Sequence, residues 1–223
     1  MCGRFSFFDF LSFQRRFNLQ IPALIQPRYN IAPSQEILAI VKPNPEDGYQ
    51  TACFKWGLIP FWSKDGSAAR KLINARAETV DQKPSFKHSF QRRRCLLPAD
   101  GFFEWEKLAS GKKPYRIVLK NREVFAFAGL WDAWTDPAGQ TIHSCTIITT
   151  SANSLLENIH PRMPVILPQE AEEAWLHHET DRLILKNLLL PFPAELMESY
   201  EVSVRVNSPR NDDPGIIEPL RTP

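Results

Sequence analysis

The 223-residue sequence lacks several features that mark specialised classes of protein. It has no run of about 18 apolar residues, so no membrane-spanning helix is predicted. Its N-terminus has no basic start, apolar run and cleavage site of a secretory signal. The four cysteines, Cys2, Cys53, Cys95 and Cys145, form no C-x-x-C pair, which argues against a zinc site. We therefore expect a reduced, intracellular protein with no metal and no cofactor.

The net charge is only +2, but the charged residues are distributed unevenly. Residues 61–94 contain nine Lys and Arg against three acidic residues, whereas residues 169–201 contain eight acidic residues against two basic ones. Trp and Phe are interleaved with the basic stretch, a combination that suits nucleic acid. A solvated basic face would explain the charge equally well, so charge alone leaves both interpretations open.

Composition and pattern predict an ordinary globular protein, with 43% hydrophobic residues. No repeat, low-complexity block or linker marks a boundary, so a single domain is predicted over residues 1–223, with about 209–223 as a tail. The strands fall in hairpin-like runs rather than in regular alternation with helices. This pattern predicts an α+β fold with a largely antiparallel, barrel-like β core and peripheral helices.

Periodicity and turn signals predict the individual elements. A hairpin is expected to join the strands at 115–119 and 124–130. Strands are predicted at 36–41, 51–56, 94–99, 101–106, 115–119, 124–130, 144–150, 165–167 and 202–206. Helices are predicted at 5–18, 77–81, 85–92, 151–159, 170–178 and 181–189.

The N-terminal residues offer an unusual reaction centre. Cys2 follows the initiator Met, and its small side chain suits enzymes that trim Met1. Trimming would leave an α-amine with a pKa near ~8 beside a thiol with a pKa near ~8.5. Such a pair condenses with an aldehyde, first as a Schiff base and then as a five-membered thiazolidine ring. The alternative is an unreactive residue on a frayed terminus.

Three further polar residues have unusual sequence surroundings. Asn74 lies in a short apolar element, where a buried amide either fixes a turn or faces a ligand. Glu104 lies among aromatic residues, which would raise its pKa toward neutrality and suit proton transfer, although the pattern does not distinguish it from Glu106. His160 precedes a proline-stiffened loop that would hold its imidazole in place. A structural role remains the alternative for each.

Arginines and tryptophans accompany these residues. Arg4, Arg76 and Arg162 each lie close in sequence to one of the candidates, as expected if an anionic substrate is held while one atom reacts. Trp62 and Trp105 could stack on bases or wedge between them. Ordinary core packing is the alternative for both, more so for Trp105.

Six ordered motifs resemble the SOS-response-associated peptidase family, also called abasic-site processing proteins. The resemblance extends from about residue 2 to residue 217. The motifs are MCGRF (1–5), RYNIAP (28–33), WGLIP (56–60), NARAE (74–78), CLLPADGFFEW (95–105) and HPRMP (160–164).

The resemblance implies recognition of an abasic site in single-stranded DNA. Met1 would be removed by the protein itself, and Cys2 would capture the ring-opened deoxyribose aldehyde as a thiazolidine crosslink that shields the lesion. In such families the residue matching Glu104 moves protons, that matching Asn74 holds the substrate and the Cys2 amine, and that matching His160 contacts the opened sugar.

The resemblance also implies DNA contacts and a cellular setting. We expect a monomer that binds no membrane and is cytoplasmic, associated with the nucleoid if the source is bacterial. Arg4, Arg76 and Arg162 would hold phosphates, Pro33, Trp62 and Trp105 would shape the lesion pocket, and Thr149 and Ser151 would contact DNA.

Three other functions stay open at this stage. An N-terminal-nucleophile amidohydrolase would use the same amine as base and the same thiol as nucleophile. A non-catalytic single-strand-binding module would bind DNA without covalent capture. A thiol protease of the Cys/His/Asn type would cleave unrelated peptides.

Overall fold

The computed structural model describes residues 2–220, except for the side chain of Arg70. In this range the helices are α1 (Phe10–Phe17), α2 (Pro84–Arg92), α3 (Gln169–Leu176) and α4 (Arg182–Asn187). The strands are β1 (Phe5–Phe7), β2 (Arg28–Ile31), β3 (Glu36–Val41), β4 (Gln50–Trp56), β5 (Asn74–Arg76), β6 (Arg94–Ala99), β7 (Gly101–Leu108), β8 (Gly111–Leu119), β9 (Phe125–Thr135), β10 (Thr141–Ser151), β11 (Arg162–Pro164), β12 (Ile166–Leu167) and β13 (Met197–Glu201).

Five strands close into a barrel in the order β10-β4-β3-β6-β9, because β9 pairs back onto β10. The barrel pairs are antiparallel except for β4 with β10. Three short strands lengthen this sheet: β5 and β11 along β10, and β12 along β9. The predicted α+β fold with a largely antiparallel, barrel-like core is confirmed.

A second sheet, in the order β13-β8-β7-β1-β2, packs against the barrel. Phe5 on β1 meets Trp56 and Phe127 of the barrel edge-to-face, with ring centroids 5.2 and 5.7 Å apart. Buried aromatic pairs of this kind add stabilisation beyond their burial. They anchor β1, and with it the N-terminus, on the barrel wall.

The helix predicted at 5–18 is wrong in its first half. Residues Phe5–Phe7 form β1, which is buried between β2 and β7, and the helix begins only at Phe10. The Asp9 side chain accepts a hydrogen bond from the Ser12 amide and caps the helix. Local helical periodicity was overridden by two strand partners from distant parts of the chain.

The hairpin predicted between 115–119 and 124–130 is also wrong. Strand β8 pairs with β7 and β13, whereas β9 pairs with β6, β10 and β12. Residues 120–124 therefore carry the chain from the second sheet into the barrel. The sequence pattern predicts both strands, but their partners are distant in the chain.

The helices predicted at 77–81 and 151–159 are turns, and the strand predicted at 202–206 is a bridge at Val202 followed by a 3-10 turn. The segment predicted as a tail is packed up to residue 220. Ile216 is buried, and Asp212 accepts hydrogen bonds from the backbone amides of Tyr29 and Asn30. Buried apolar and polar contacts thus hold a segment whose composition predicted none.

A buried polar cluster fixes β1 against β7. Asp100 accepts hydrogen bonds from the Ser6 hydroxyl at 2.6 Å, from the Phe8 amide and from the Arg116 guanidinium. Gly101 makes this possible, because a Cβ there would lie 2.8 Å from the guanidinium. No helix within residues 2–220 is long and apolar enough to cross a membrane.

Candidate active site

Cys2 is fully buried, so the frayed-terminus alternative does not describe it. The Arg4 carbonyl accepts a hydrogen bond of 2.9 Å from the Phe103 amide, which extends the β1–β7 pairing toward the N-terminus. The Cys2 thiol lies 3.9 Å from the same carbonyl. Burial raises the pKa of this thiol well above its usual range, and the nearby charge of Glu104 raises it further. Met1, whose removal is predicted, lies outside the described residues.

Asn74 reaches Cys2 directly. Strand β5 pairs with β10 in parallel, with Asn74 opposite Ile147, and the Asn74 Nδ2 donates a 2.7 Å hydrogen bond to the Cys2 carbonyl. The Asn74 Oδ1 is buried and accepts no hydrogen bond from residues 2–220. A buried acceptor left in this state favours a ligand that donates to it.

The structure distinguishes Glu104 from Glu106, which the sequence pattern did not. The Glu104 side chain is buried, with 2% of the residue exposed, and burial raises its pKa to about 7. Glu106 is half-buried and accepts a hydrogen bond from the Tyr115 hydroxyl. Glu104 also lies close enough to Cys2 for its charge to act on the thiol. It is therefore the carboxyl of this site.

His160 lies in the turn before β11. Its Nδ1 is 3.1 Å from both the amide nitrogen and the carbonyl oxygen of Arg162, which orients the ring. Burial lowers its pKa, and the positive charges of Lys107 and Arg162 lower it further. The lowered pKa favours the neutral imidazole, and the effect of Lys107 places the ring near the end of β7, the strand that carries Glu104.

Arg4 and Trp105 are held by the C-terminal segment. The Arg4 guanidinium donates 2.7 Å hydrogen bonds to the Asn30 side chain and to the Val206 carbonyl, and it lies over the Trp105 ring. The Trp105 indole donates a 2.7 Å hydrogen bond to the Asn207 side chain. Both side chains flank the buried N-terminus with fixed orientations.

Asn30 was missed as a site residue by the sequence analysis. It is fully buried and donates to the carbonyls of Val206, Ser208 and Asn211 while accepting from Arg4. Asn30 lies in the RYNIAP motif, but the three carbonyls that it contacts lie about 180 residues away in sequence. Only the folded chain shows why an amide is needed there.

Strand β10 brings several predicted DNA contacts together near its C-terminal end, with β5 along one edge and β11 along the other. Thr149 pairs with Arg76 on β5, and Ser151 pairs with Arg162 on β11. Arg162 bonds Glu78 and the Thr149 carbonyl, and its guanidinium is the largest cause of the lowered pKa of Glu78. Arg76 is exposed and forms no ion pair within residues 2–220. Ser151 is exposed, whereas Thr149 is buried.

Two predicted residues lie outside this cluster. Pro33 is half-buried in the turn after β2. Trp62 is 54% exposed on the loop that follows β4. This loop is held to β10 at its start, where the Gly57 amide donates a hydrogen bond to the Cys145 carbonyl. Asn74 and Arg76, on β5, pair further along β10, with Ile147 and Thr149. In the described part of the chain, no three potential metal-ligating side chains gather.

Sequence comparison places this arrangement among known proteins. The profile described as SOS response associated peptidase (SRAP) matches residues 1–209. The chain belongs to this family.

Relatives in the family share both sequence and fold. The abasic site processing protein YoqW of Bacillus subtilis is 47% identical over 98% of this chain and 99% of its own length. The abasic site processing protein HMCES of Xenopus tropicalis is 32% identical over 85% of this chain and 65% of its own length. A crystal structure of a protein from Bacteroides thetaiotaomicron superposes with a TM-score of 0.89, at 31% identity, over 99% of this chain and all of that one.

Proposed function

We propose that this protein recognises abasic sites in single-stranded DNA and captures them covalently through Cys2, as a thiazolidine. The observation that carries the proposal is the burial of Cys2 between the amide of Asn74 and the carboxyl of Glu104. Relatives named abasic site processing proteins support the substrate. The proposal requires that Met1 be removed, by Cys2 acting on its own N-terminus as the family name suggests.

The first step forms a Schiff base. The free α-amine of Cys2 attacks C1′ of the ring-opened deoxyribose, and the carbinolamine loses its hydroxyl as water to give the iminium. Protonated Glu104 supplies the proton to the leaving hydroxyl, a role that suits a carboxyl with a pKa of about 7. Asn74 holds the Cys2 carbonyl and so fixes the direction of the amine.

The second step closes the ring. The thiol, which burial keeps protonated, gives its proton to the Glu104 carboxylate as its sulfur bonds to C1′. The C=N electron pair returns to nitrogen, which becomes the secondary amine of the thiazolidine. One aldehyde and one aminothiol thus give one ring and one water, and the reaction balances without a metal or a cofactor.

The remaining residues hold the strand and the sugar. Neutral His160 is oriented by Arg162 and is proposed to donate a hydrogen bond to the opened sugar. The exposed Arg76 is proposed to pair with a phosphate next to the lesion. Arg4, Pro33, Trp62, Trp105, Thr149, Ser151 and Arg162 are proposed as further contacts. An abasic site has no base to read, so reaction with the aldehyde supplies the selectivity.

A denaturing gel tests this proposal. Protein shown by mass to lack Met1 is mixed with single-stranded DNA carrying one abasic site, beside intact DNA and a Cys2→Ala variant. We expect a heat-stable shifted band that requires both the lesion and Cys2. The absence of that band with wild-type protein lacking Met1 would overturn the proposal, and glutamine hydrolysis without DNA would then favour the amidohydrolase alternative.

A further inference from the structure

A second basic region lies between the end of α2, the end of β3 and the α3–α4 connection. We call it the α2 cleft, a cavity of about 280 Å³. His88, Arg92 and Arg93 of this cleft come from the basic stretch at 61–94, of which the proposed function uses only Trp62, Asn74 and Arg76. The side chains that define it are those of Lys42, His88, Arg92, Arg93, Trp131 and His178.

The α2 cleft carries positive charge that the protein does not neutralise. No acidic side chain is among the described residues that line it. Within residues 2–220, neither Lys42 nor Arg92 forms an ion pair, whereas Arg93 is paired with Asp132. Arg92 is exposed and Lys42 is half-buried. Two cations that line one cleft without carboxylate partners repel each other until an anion binds.

Arg94 adds buried charge behind this surface. Its guanidinium is buried and donates four hydrogen bonds, all of them to backbone carbonyls. Burial is the main cause that lowers the pKa of Arg94, to about 10, and the charge of Arg92 lowers it further. Arg92 therefore lies close to Arg94, a second cation that has no carboxylate partner within residues 2–220.

Aromatic side chains form the rim of the α2 cleft. Phe61 is 50% exposed, and its ring lies against His88 with centroids 5.0 Å apart. The Phe61 amide and the Arg93 guanidinium bond the two oxygens of Asp132, which ties the rim to the cationic wall. Exposed rings beside unpaired cations are the usual platform for single-stranded nucleic acid, where bases stack and phosphates pair.

We propose that the α2 cleft binds the phosphate backbone of the same DNA strand, at nucleotides beyond the lesion. This inference rests on the proposed function. Phosphates would contact Lys42 and Arg92, and a base would stack on Phe61. Trp62, beside Phe61, would then lie on the path between the α2 cleft and the site around Cys2.

The residue pairing along β10 gives the distance that the DNA strand has to cover between the site and the α2 cleft. Ser144 pairs with Asp132, which holds the rim of the α2 cleft, and Thr149 pairs with Arg76 at the site. Five residues of strand span about 16 Å. At about 3.4 Å per nucleotide, a strand needs roughly five nucleotides to one side of the lesion to reach the α2 cleft. Shorter DNA would fill the site but not the cleft.

The test compares short and long single strands on a charge-reversal variant. Lys42→Glu with Arg92→Glu alters the α2 cleft. Arg15→Glu with Lys120→Glu makes the same change in net charge away from the cleft, at two exposed positions. Fluorescence anisotropy is measured across a salt series with undamaged strands. One strand, of about four nucleotides, is too short to occupy the site and the cleft at once, and the other strand, of about 25 nucleotides, is long enough for both. Melting temperatures confirm that each variant is folded, and Arg92→Gln repeats the test without an introduced acid.

We expect the cleft variant to bind the long strand about tenfold more weakly and the short strand as wild type does. Its salt slope on the long strand should fall by about 1.4, the value for two lost phosphate contacts on a single strand. The control variant should change neither. Equal losses in both variants, or a loss that is independent of length, would overturn the inference.

Two further arms separate other outcomes. Inorganic phosphate is titrated as a competitor of the DNA. If binding of phosphate requires Lys42 and Arg92 but binding of the long strand does not, the cleft is a site for small anions and the inference is wrong. Covalent capture of a short abasic strand by wild-type protein reports on the proposed function alone. If capture fails, the proposed function is wrong, whereas the anisotropy measurements still show whether the cleft binds DNA.

Discussion

Glu104 and Glu172 are two buried carboxyls with the same acidity and different surroundings. Burial raises the pKa of each to about 7. Glu172, on α3, is bonded to Arg16 of α1, whose guanidinium also donates to the Val124 carbonyl. Glu104 lies beside the thiol of Cys2, whose carbonyl is held by Asn74. Glu172 thus joins two helices, whereas Glu104 faces the thiol that is proposed to react.

The difference teaches that a raised pKa reports burial and not catalysis. The same desolvation acts on both carboxyls, so the acidity alone cannot distinguish them. What differs is the neighbour that can exchange a proton. A guanidinium stays protonated at any physiological pH, whereas a thiol and an amine gain and lose protons during the proposed reaction.

The sharpest test of the comparison is to neutralise each carboxyl in turn. Glu104→Gln should slow covalent capture of abasic DNA by about 10²–10⁴-fold, the usual range for a lost general acid–base group. Glu172→Gln, the matched control, should change the capture rate less than about twofold, because it touches no reacting group. Single-turnover gel kinetics at saturating DNA measure both. Equal rates in the two variants would remove Glu104 from the mechanism.

The same two variants should behave alike in stability. For each carboxyl the pKa of about 7 in the folded protein lies above its ordinary value of 4.5. Each therefore contributes stability that is fully present below about pH 4.5 and is lost as the pH rises through 7. The loss is about 3 kcal/mol per group at most. Denaturant unfolding between pH 4.5 and 8 should show a flatter profile in either variant; an unchanged slope in one of them would mean that its pKa is not raised.

Asn30 tests whether the site depends on the C-terminal segment. Asn30→Ala removes the acceptor of Arg4 and the donor to three carbonyls, so capture should slow about tenfold as the N-terminus loses its fixed position. Asn153→Ala serves as control, since Asn153 also bonds backbone groups, at Leu156 and Phe192. It should lower stability without slowing capture. A parallel loss of stability and rate in both variants would show that Asn30 acts only on folding.

The smallest effect is expected at Arg76. Arg76→Ala should weaken binding to intact and abasic single strands alike, by a few-fold, and lower the salt slope by about 0.7, because one phosphate contact is lost. Anisotropy with Cys2→Ala protein isolates this non-covalent binding. A loss confined to abasic DNA would instead assign Arg76 to the lesion itself.

Much of the site was visible as chemistry in the sequence. The aminothiol that Cys2 would offer, the carboxyl among aromatics and the stiffened histidine follow from residue types and their immediate neighbours. The strands at 36–41 and 94–99 were predicted with the bounds that the structure has, because continuous burial leaves a strong local pattern. The roles of these residues, and of the DNA contacts, remain proposals.

The errors share one physical cause. Residues 5–7 form a strand because β2 and β7 pair with it, and the segments at 115–119 and 124–130 separate because β13 and β6 offer better partners. Periodicity reports the burial of a segment but not the identity of its neighbours. The segment after 209 shows the same limit, since Asp212 finds its partners near residue 30.

By itself the sequence determined which reactive groups this protein carries, because nucleophilicity, charge and apolar pattern are properties of residues and their immediate neighbours. It determined the barrel-like class for the same reason. Only the tertiary structure decided that Glu104 rather than Glu106 meets Cys2, that Asn30 orients Arg4, and that Glu172 meets Arg16. Each of these contacts joins residues about 26 or more positions apart, and such pairings are set by competition among all partners in the folded chain.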